Sequence, residues 1–277
     1  MNATFELGGD LEVRRLGFGA MRLCGPRILG RPSDPGNAPR VLRRAIELGV
    51  DLIDTAFAYG PEVNELQIAE ALHPYPAGLV VATKGGVVRD EHGSWLRDGR
   101  PEQVRAHCEG SLRRLRLERI DLWQLHGPDP GLPLEETLGE LARLREEGKI
   151  RHVGLSNVGV QQIERARKVL PIVSVQNRYS LADRSSEDVL VHCEREGIAF
   201  LPWFPLDVGR LAEPGGRVGR VAGEKGASPA QVALSWLLHR SPVVLPIPGT
   251  ASLAHLEENV AAARLWLADE DLAALAA

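Results

Sequence analysis

Four titratable side chains follow directly on short apolar runs. Asp54 and Tyr59 come after Val50–Ile53, Lys84 after Leu79–Ala82, and His126 after Ile120–Leu125. A tyrosine can deliver a proton, but with a reference pKa of about 10 it needs a lowered pKa or a relay. A neighbouring ammonium and imidazole supply either, and a carboxylate beside the lysine keeps that ammonium charged and oriented. Taken singly, each residue has a plainer use. A rim aspartate commonly caps the next helix, a tyrosine in such a loop packs, and a histidine at a strand end is commonly a hydrogen-bonded core residue. Proton delivery becomes the better reading only if the fold brings the four together.

The elements that must do so alternate between brief apolar runs and longer amphipathic ones. Arg15–Gly19, Val50–Ile53, Leu79–Ala82, Ile120–Leu125, Val153–Leu155, Ile172–Val175, Ile198–Leu201 and Val243–Leu245 read as strands buried on both faces. Helical spacing lies between them over Arg40–Leu48, Asn64–Leu72, Pro101–Leu117, Leu134–Glu147, Val160–Val169, Ser185–Arg195, Ala230–His239 and Ser252–Ala263. Ser228-Pro229 is an N-cap followed by a first-turn proline, and Gly148 is a helix stop. Eight strand-then-helix units without a low-complexity linker predict an α/β fold, a (β/α)8 TIM barrel over 1–277 as a single domain. A doubly wound open sheet is the runner-up, but no GxGxxG follows a strand. Phe5–Val13, turning at Gly8-Gly9-Asp10, predicts an N-terminal β-hairpin ahead of the barrel. Cys24–Pro39 and Gly85–Arg100 read as long loops after the first and third strands, on the face where barrel sites are built. On that face Asp54, Tyr59, Lys84 and His126 share one rim.

Composition removes several alternatives. With 33 Lys+Arg against 37 Asp+Glu and no basic run, the chain has no electrostatic footprint for nucleic acid. No apolar stretch approaches the roughly 18 residues of a membrane helix. Met1 to Asp10 shows no basic-then-apolar signal pattern, so a cytoplasmic location and no membrane partner are expected. Cys24, Cys108 and Cys193 are scattered and form no CxxC pair, which suits a reducing compartment and argues against structural zinc. No HxH pair or carboxylate cluster at a strand end suggests a catalytic metal.

The stretches LGFGAMRL (16–23), AIELGVDLIDTAFAYG (45–60), VVATKGG (80–86), SLRRLRLERIDLWQLHGPDP (111–130), EGKIRHVGLSN (147–157), VQNRYSLADR (175–184), LPWFPL (201–206) and PIPGTASLAHLEENV (246–260) resemble the aldo-keto reductases in order and spacing over almost the whole chain. The resemblance is nearest the bacterial pyridoxal reductase-like group. It implies reduction of an aldehyde or ketone to an alcohol by hydride transfer from NADPH, with NADH not excluded. Tyr59 would be the general acid, Lys84 paired with Asp54 would lower the tyrosine pKa, and His126 would orient the carbonyl. It further implies cofactor contacts from Ala20, Met21, Asp54, Ser156, Asn157, Gln176, Trp203, Leu206, Gly249, Thr250, His255, Glu258 and Asn259. Ser156, Asn157 and Gln176 match family residues that bond the nicotinamide carboxamide. Trp203 matches the aromatic that stacks on the ring, though a core tryptophan is its plainer reading.

Two departures from the family pattern bear on specificity. Gly249 stands where many members have lysine and His255 where many have arginine, so two cations that would meet the 2′-phosphate of NADPH are absent. Thr250 and the start of the helix near Ser252 remain as an anion site. On the substrate side, Phe57, Trp95, Gly127, Pro128 and Arg178, with Met21, would line an open, partly aromatic pocket widened at Gly127. A small-molecule carbonyl substrate is the expected partner, with pyridoxal or a bulkier ketone as candidates, and the chain is expected to be a monomer or weak homo-oligomer. Two other readings stay open: a Schiff-base aldolase or lyase using Lys84 as nucleophile, and a non-catalytic nicotinamide-binding regulatory subunit.

Overall fold

The structure is a computed structural model that describes residues 3–90, 92–213 and 215–276. Met1, Asn2, Glu91, Pro214 and Ala277 of the predicted 1–277 domain lie outside the described residues. β1 (Thr4–Leu7) and β2 (Leu11–Arg14) form the predicted antiparallel hairpin. β3 (Phe18–Gly19), β4 (Leu52–Asp54) and β5 (Val80–Gly85) begin a parallel sheet. The expected loop after β5 instead folds back as a second hairpin of β6 (Val87–Arg89) and β7 (Trp95–Arg97). β8 (Ile120–Leu125), β9 (Ile150–Ser156), β10 (Ile172–Gln176) and β11 (Ala199–Phe200) complete the curled sheet in the order β3-β4-β5-β8-β9-β10-β11.

The eighth predicted strand, Val243–Leu245, does not form a regular strand, because Pro246 and Pro248 lack the N–H groups that a ladder needs. The ring closes through it nonetheless. Phe200 N–H donates to Val243 O (2.8 Å) and Leu245 N–H to Phe200 O (2.8 Å), while Gly17 N–H reaches Pro246 O (3.0 Å) and Gly19 N–H reaches Pro248 O (3.3 Å). The predicted TIM barrel is present, with an irregular eighth stave. A Cβ on Gly19 would lie 2.6 Å from Ile247 O, and one on Gly249 would lie 2.5 Å from Gly19 O. Only glycine fits where these two backbones pass. Buried Arg15 ties the same seam, donating through Nη2 to Leu238 O (2.8 Å) and Ser241 O (2.5 Å) and through Nε to Val244 O (3.2 Å).

The helices are α1 (Asn37–Glu47), α2 (Val63–Leu72), α3 (Pro101–Leu115), α4 (Leu134–Glu146), α5 (Val160–Arg167), α6 (Glu187–Glu196), α7 (Gly216–Lys225), α8 (Pro229–Arg240), α9 (Leu253–Ala261) and α10 (Asp269–Ala276). Sequence periodicity misses α7, whose Gly216, Gly219 and Gly223 weaken its pattern, and α10, a short helix signalled only by its acidic first turn. Ser228 caps α8 as predicted, accepting from Gln231 N–H while the Gln231 side chain accepts from Ser228 N–H.

Two-residue alternation along the strands sorts the side chains. Ile53, Val81, Trp123, Val153 and Val175 belong to the layers packed with the helices. Leu52, Val80, Ala82, Leu122, Ala199, Leu201, Leu245 and Ile247 fill the lumen, where Leu7 and Val13 of the N-terminal hairpin join them as a plug. One step further along each strand the same parity brings polar residues: Asp54 after Leu52, Lys84 after Ala82, Gln124 after Leu122 and Gln176 after Ser174. The lumen therefore changes from apolar to polar toward the C-terminal ends of the strands.

Candidate active site

At that polar end lies a cavity of about 1040 Å³. Its floor is built around Asp54, whose Oδ2 accepts from Lys84 Nζ at 2.6 Å and whose Oδ1 accepts from Gln176 Nε2 (2.9 Å) and Gln124 Nε2 (3.2 Å). Lys84 is fully buried and also donates to Thr55 O (2.8 Å) and Tyr59 Oη (3.4 Å). Burial opposes its charge, but the Asp54 carboxylate and the Tyr59 oxygen outweigh that and hold the ammonium above its usual range. Burial pushes the Tyr59 phenol up, and the pull of Lys84 only partly offsets it. His126 is driven well below its usual value by burial and by the positive charges of Lys84 and Arg97, so its imidazole is neutral.

The loop that carries Tyr59 is fixed by its own backbone. Phe57 N–H donates to Lys84 O (2.9 Å), Gly60 N–H to Ile28 O (3.2 Å) and Gly30 N–H to Gly60 O (2.6 Å). The Tyr59 ring meets His126 edge-on, with centroids 5.8 Å apart, and Trp95 from β7 packs edge-on against both. His126 continues the inward parity of β8 and is tied down by its N–H to Gly85 O (2.9 Å). Thus the four predicted residues are together, with Asp54, Tyr59 and His126 on the cavity wall and Lys84 behind them.

Of the predicted cofactor residues, Met21, Ser156, Asn157, Gln176, Trp203, Leu206, Gly249, Thr250, His255, Glu258 and Asn259 line the cavity. Ala20 does not: it is buried, and its carbonyl accepts from Asn64 Nδ2 (3.0 Å), leaving Gly19 and Met21 on the wall. Asn157 holds a left-handed φ of 58° and donates through Nδ2 to His126 O (3.0 Å), while its Oδ1 accepts from Trp203 Nε1 (3.1 Å). Trp203 is half-buried on the wall, not a core residue.

The expected substrate pocket needs correction. Trp95 lines the cavity, but Phe57 turns away and stacks on His107, with centroids 4.0 Å apart. Gly127 does not widen the pocket, because the Arg97 guanidinium occupies the space a side chain there would take. Pro128 faces an adjoining surface hollow, and Arg178 is held by Asp183 (2.8 Å) and Asp207 (3.1 Å) outside the cavity. Sequence reading missed Gln124 and Arg97. The first was legible as a lone amide within the apolar run 120–125, and the second as a strand residue two positions from Trp95.

Beneath the site, His107 accepts from Gly86 N–H through Nδ1 (3.1 Å), and burial holds its pKa down at about 4. An unfolded histidine protonates near pH 6.5. Between that value and about pH 4 the unfolded chain therefore binds a proton that the fold refuses, and stability falls with falling pH. His107→Asn, which keeps an acceptor for Gly86, should lose less stability than the parent between pH 6.5 and 5, by about 2 kcal/mol in urea unfolding. Parallel losses in the two proteins would show that His107 is not the titrating group.

Comparison with known proteins agrees with this architecture. The model of the Aldo/keto reductase family matches residues 15–277. An uncharacterized oxidoreductase of Schizosaccharomyces pombe is 49% identical over 267 residues, covering 96% of this chain and 87% of its own. Pyridoxine 4-dehydrogenase of Escherichia coli is 44% identical over 279 residues, covering 98% and 96%. The crystal structure of an aldo/keto reductase from Klebsiella pneumoniae in complex with NADP and acetate superposes with a TM-score of 0.84 at 28% identity, covering 99% of this chain and 94% of that one. With the family match spanning the barrel and the relatives spanning nearly the whole chain, this protein belongs to the aldo/keto reductase family.

Proposed function

We propose that this chain reduces an aldehyde or ketone to the alcohol with NADPH, using Tyr59 as the general acid. The observation that carries the reading is the placement of Lys84 Nζ between Asp54 Oδ2 (2.6 Å) and Tyr59 Oη (3.4 Å), with Tyr59 and His126 side by side on the cavity wall. When bound, the nicotinamide supplies the hydride to the carbonyl carbon. Tyr59 O–H donates to the carbonyl oxygen as negative charge develops there, and the neutral His126 ring retains one N–H to orient it. Lys84 draws the phenol toward proton release against the effect of its burial, while Asp54, itself held by the two glutamines, keeps the ammonium in place.

The cavity suits the dinucleotide. Ser156, Asn157 and Gln176 provide amide and hydroxyl groups on one part of the wall, and the flank of Trp203 is an apolar surface for a flat ring. Elsewhere on the wall, Thr250 stands beside the N-terminus of α9, which Ser252 caps from behind the lining residues, a favourable environment for phosphate. Gly249 cannot carry a lysine because Gly19 O blocks any side chain, but Arg22 lines the same wall, its Cγ 3.7 Å from a Cβ built on Gly249. That cation supports a preference for the extra phosphate. NADPH should bind at least about tenfold tighter than NADH in a fluorescence titration, and equal affinities would overturn the preference.

Pyridoxal is the first substrate to try, given the similarity to pyridoxine 4-dehydrogenase. Carbonyl-dependent NADPH consumption across a panel that includes it tests the function. No turnover of any aldehyde or ketone would favour the regulatory-subunit reading. The Schiff-base reading finds little support, since Lys84 is fully buried, is paired with three oxygens and is not on the cavity wall.

A further inference from the structure

We propose that Arg97 forms an anion subsite beside Tyr59 and His126, so that the carbonyl compound this chain takes carries a carboxylate or similar anionic group. The inference rests on the reductase reading and sharpens its substrate class. Strand alternation along β7 puts Arg97 on the same face as Trp95, and both side chains line the cavity. The absence of a side chain at Gly127 makes room for the guanidinium against the end of β8. It lies close enough to His126 for its charge to help keep that imidazole neutral.

Among the described residues, the Arg97 side chain has neither an ion pair nor a hydrogen bond, although partial loss of solvent lowers its pKa. The carboxylate that its charge feels, Asp129, is committed elsewhere: Oδ1 accepts from Gly131 N–H (2.9 Å) and Oδ2 from Gly99 N–H (3.0 Å). Two neighbouring arginines are satisfied. Arg89 donates to the carbonyls of Gly93, Arg27 and Ile28 and covers the Trp95 ring, and Arg165 pairs with Glu135. Asp54, on the same wall, is saturated by Lys84, Gln124 and Gln176. A solvent-accessible guanidinium without a protein partner is left on the cavity wall beside Tyr59 and His126. An anionic substrate would replace solvent on the N–H donors of this guanidinium and would be oriented by it.

The test compares 4-carboxybenzaldehyde and succinic semialdehyde with their methyl esters, using the full chain and NADPH, in the parent, Arg97→Gln and Arg97→Lys. The ratio of kcat/KM for acid over ester should fall about 20-fold in Arg97→Gln, mostly through KM, and recover in part in Arg97→Lys. Benzoate binding to the protein with NADP, followed by tryptophan fluorescence, should weaken by a similar factor. An unchanged ratio, or equal losses on acid and ester, would overturn the subsite. If the parent turns over none of the four aldehydes, the broader carbonyl panel with pyridoxal decides the reductase reading, and the benzoate titration still decides the anion subsite.

Discussion

Tyr59→Phe should abolish steady-state carbonyl reduction, lowering kcat by at least about 10³-fold while leaving NADPH affinity within about threefold. The substitution removes one oxygen and keeps the ring that packs edge-on against His126 and Trp95. The wall of the cavity and the loop pinned to Ile28 and Gly30 should therefore persist. What would disappear is the proposed proton donor, needed only as charge develops on the carbonyl oxygen, which is a loss in the transition state and not in ground-state binding. Stopped-flow reduction and a fluorescence titration of cofactor measure the two quantities separately. Retention of most of kcat would show that the proton comes from another group and would sink the assigned mechanism.

Lys84→Met should lower kcat by about 10²-fold and the stability of the chain by about 3 kcal/mol. Both effects come from one buried pair. Lys84 and Asp54 are almost inaccessible to water, and removing the ammonium leaves a carboxylate held only by the two glutamine side chains. The same loss removes the one positive charge that draws the Tyr59 phenol down against its burial. In alcohol oxidation, where the phenolate would act as base, the rising limb of the pH profile should move to higher pH in the variant. The pH profile separates this positioning role from a purely structural one, since a merely loosened fold would lower rates without moving the limb. Urea unfolding gives the stability term.

The barrel was legible because its signal is repeated: each apolar run is followed by a helical one, and the parity of Leu52/Asp54, Ala82/Lys84 and Leu122/Gln124 is fixed by the strand itself. The stave at Val243–Leu245 was less so, since its hydrophobicity marks a strand while the prolines that follow forbid a regular ladder. The direction taken by loop side chains was not legible. Phe57 has an aromatic partner in His107 and a cation in Arg114 on the far side of its loop, and those residues are fifty and more positions away. Gly127 illustrates the same limit. An absent side chain suggests space, but the space belongs to Arg97, brought there by a hairpin that reads in sequence as a glycine- and charge-rich loop.

The proline-interrupted seam also has a consequence for how the chain reaches its native state. Arg15 and the carbonyl of Val244 that it holds are 229 positions apart. Contacts between such distant segments bring their reward only after a large loop has been closed, which places them late in folding. A nascent chain that has not yet delivered Ser241–Pro248 leaves the β3 edge of its sheet without this partner, however well the earlier units have formed. Gly19, Ile247, Pro248 and Gly249 lie both on the seam and on the cavity wall. The last part of the ring to assemble is therefore a part that completes the binding cavity.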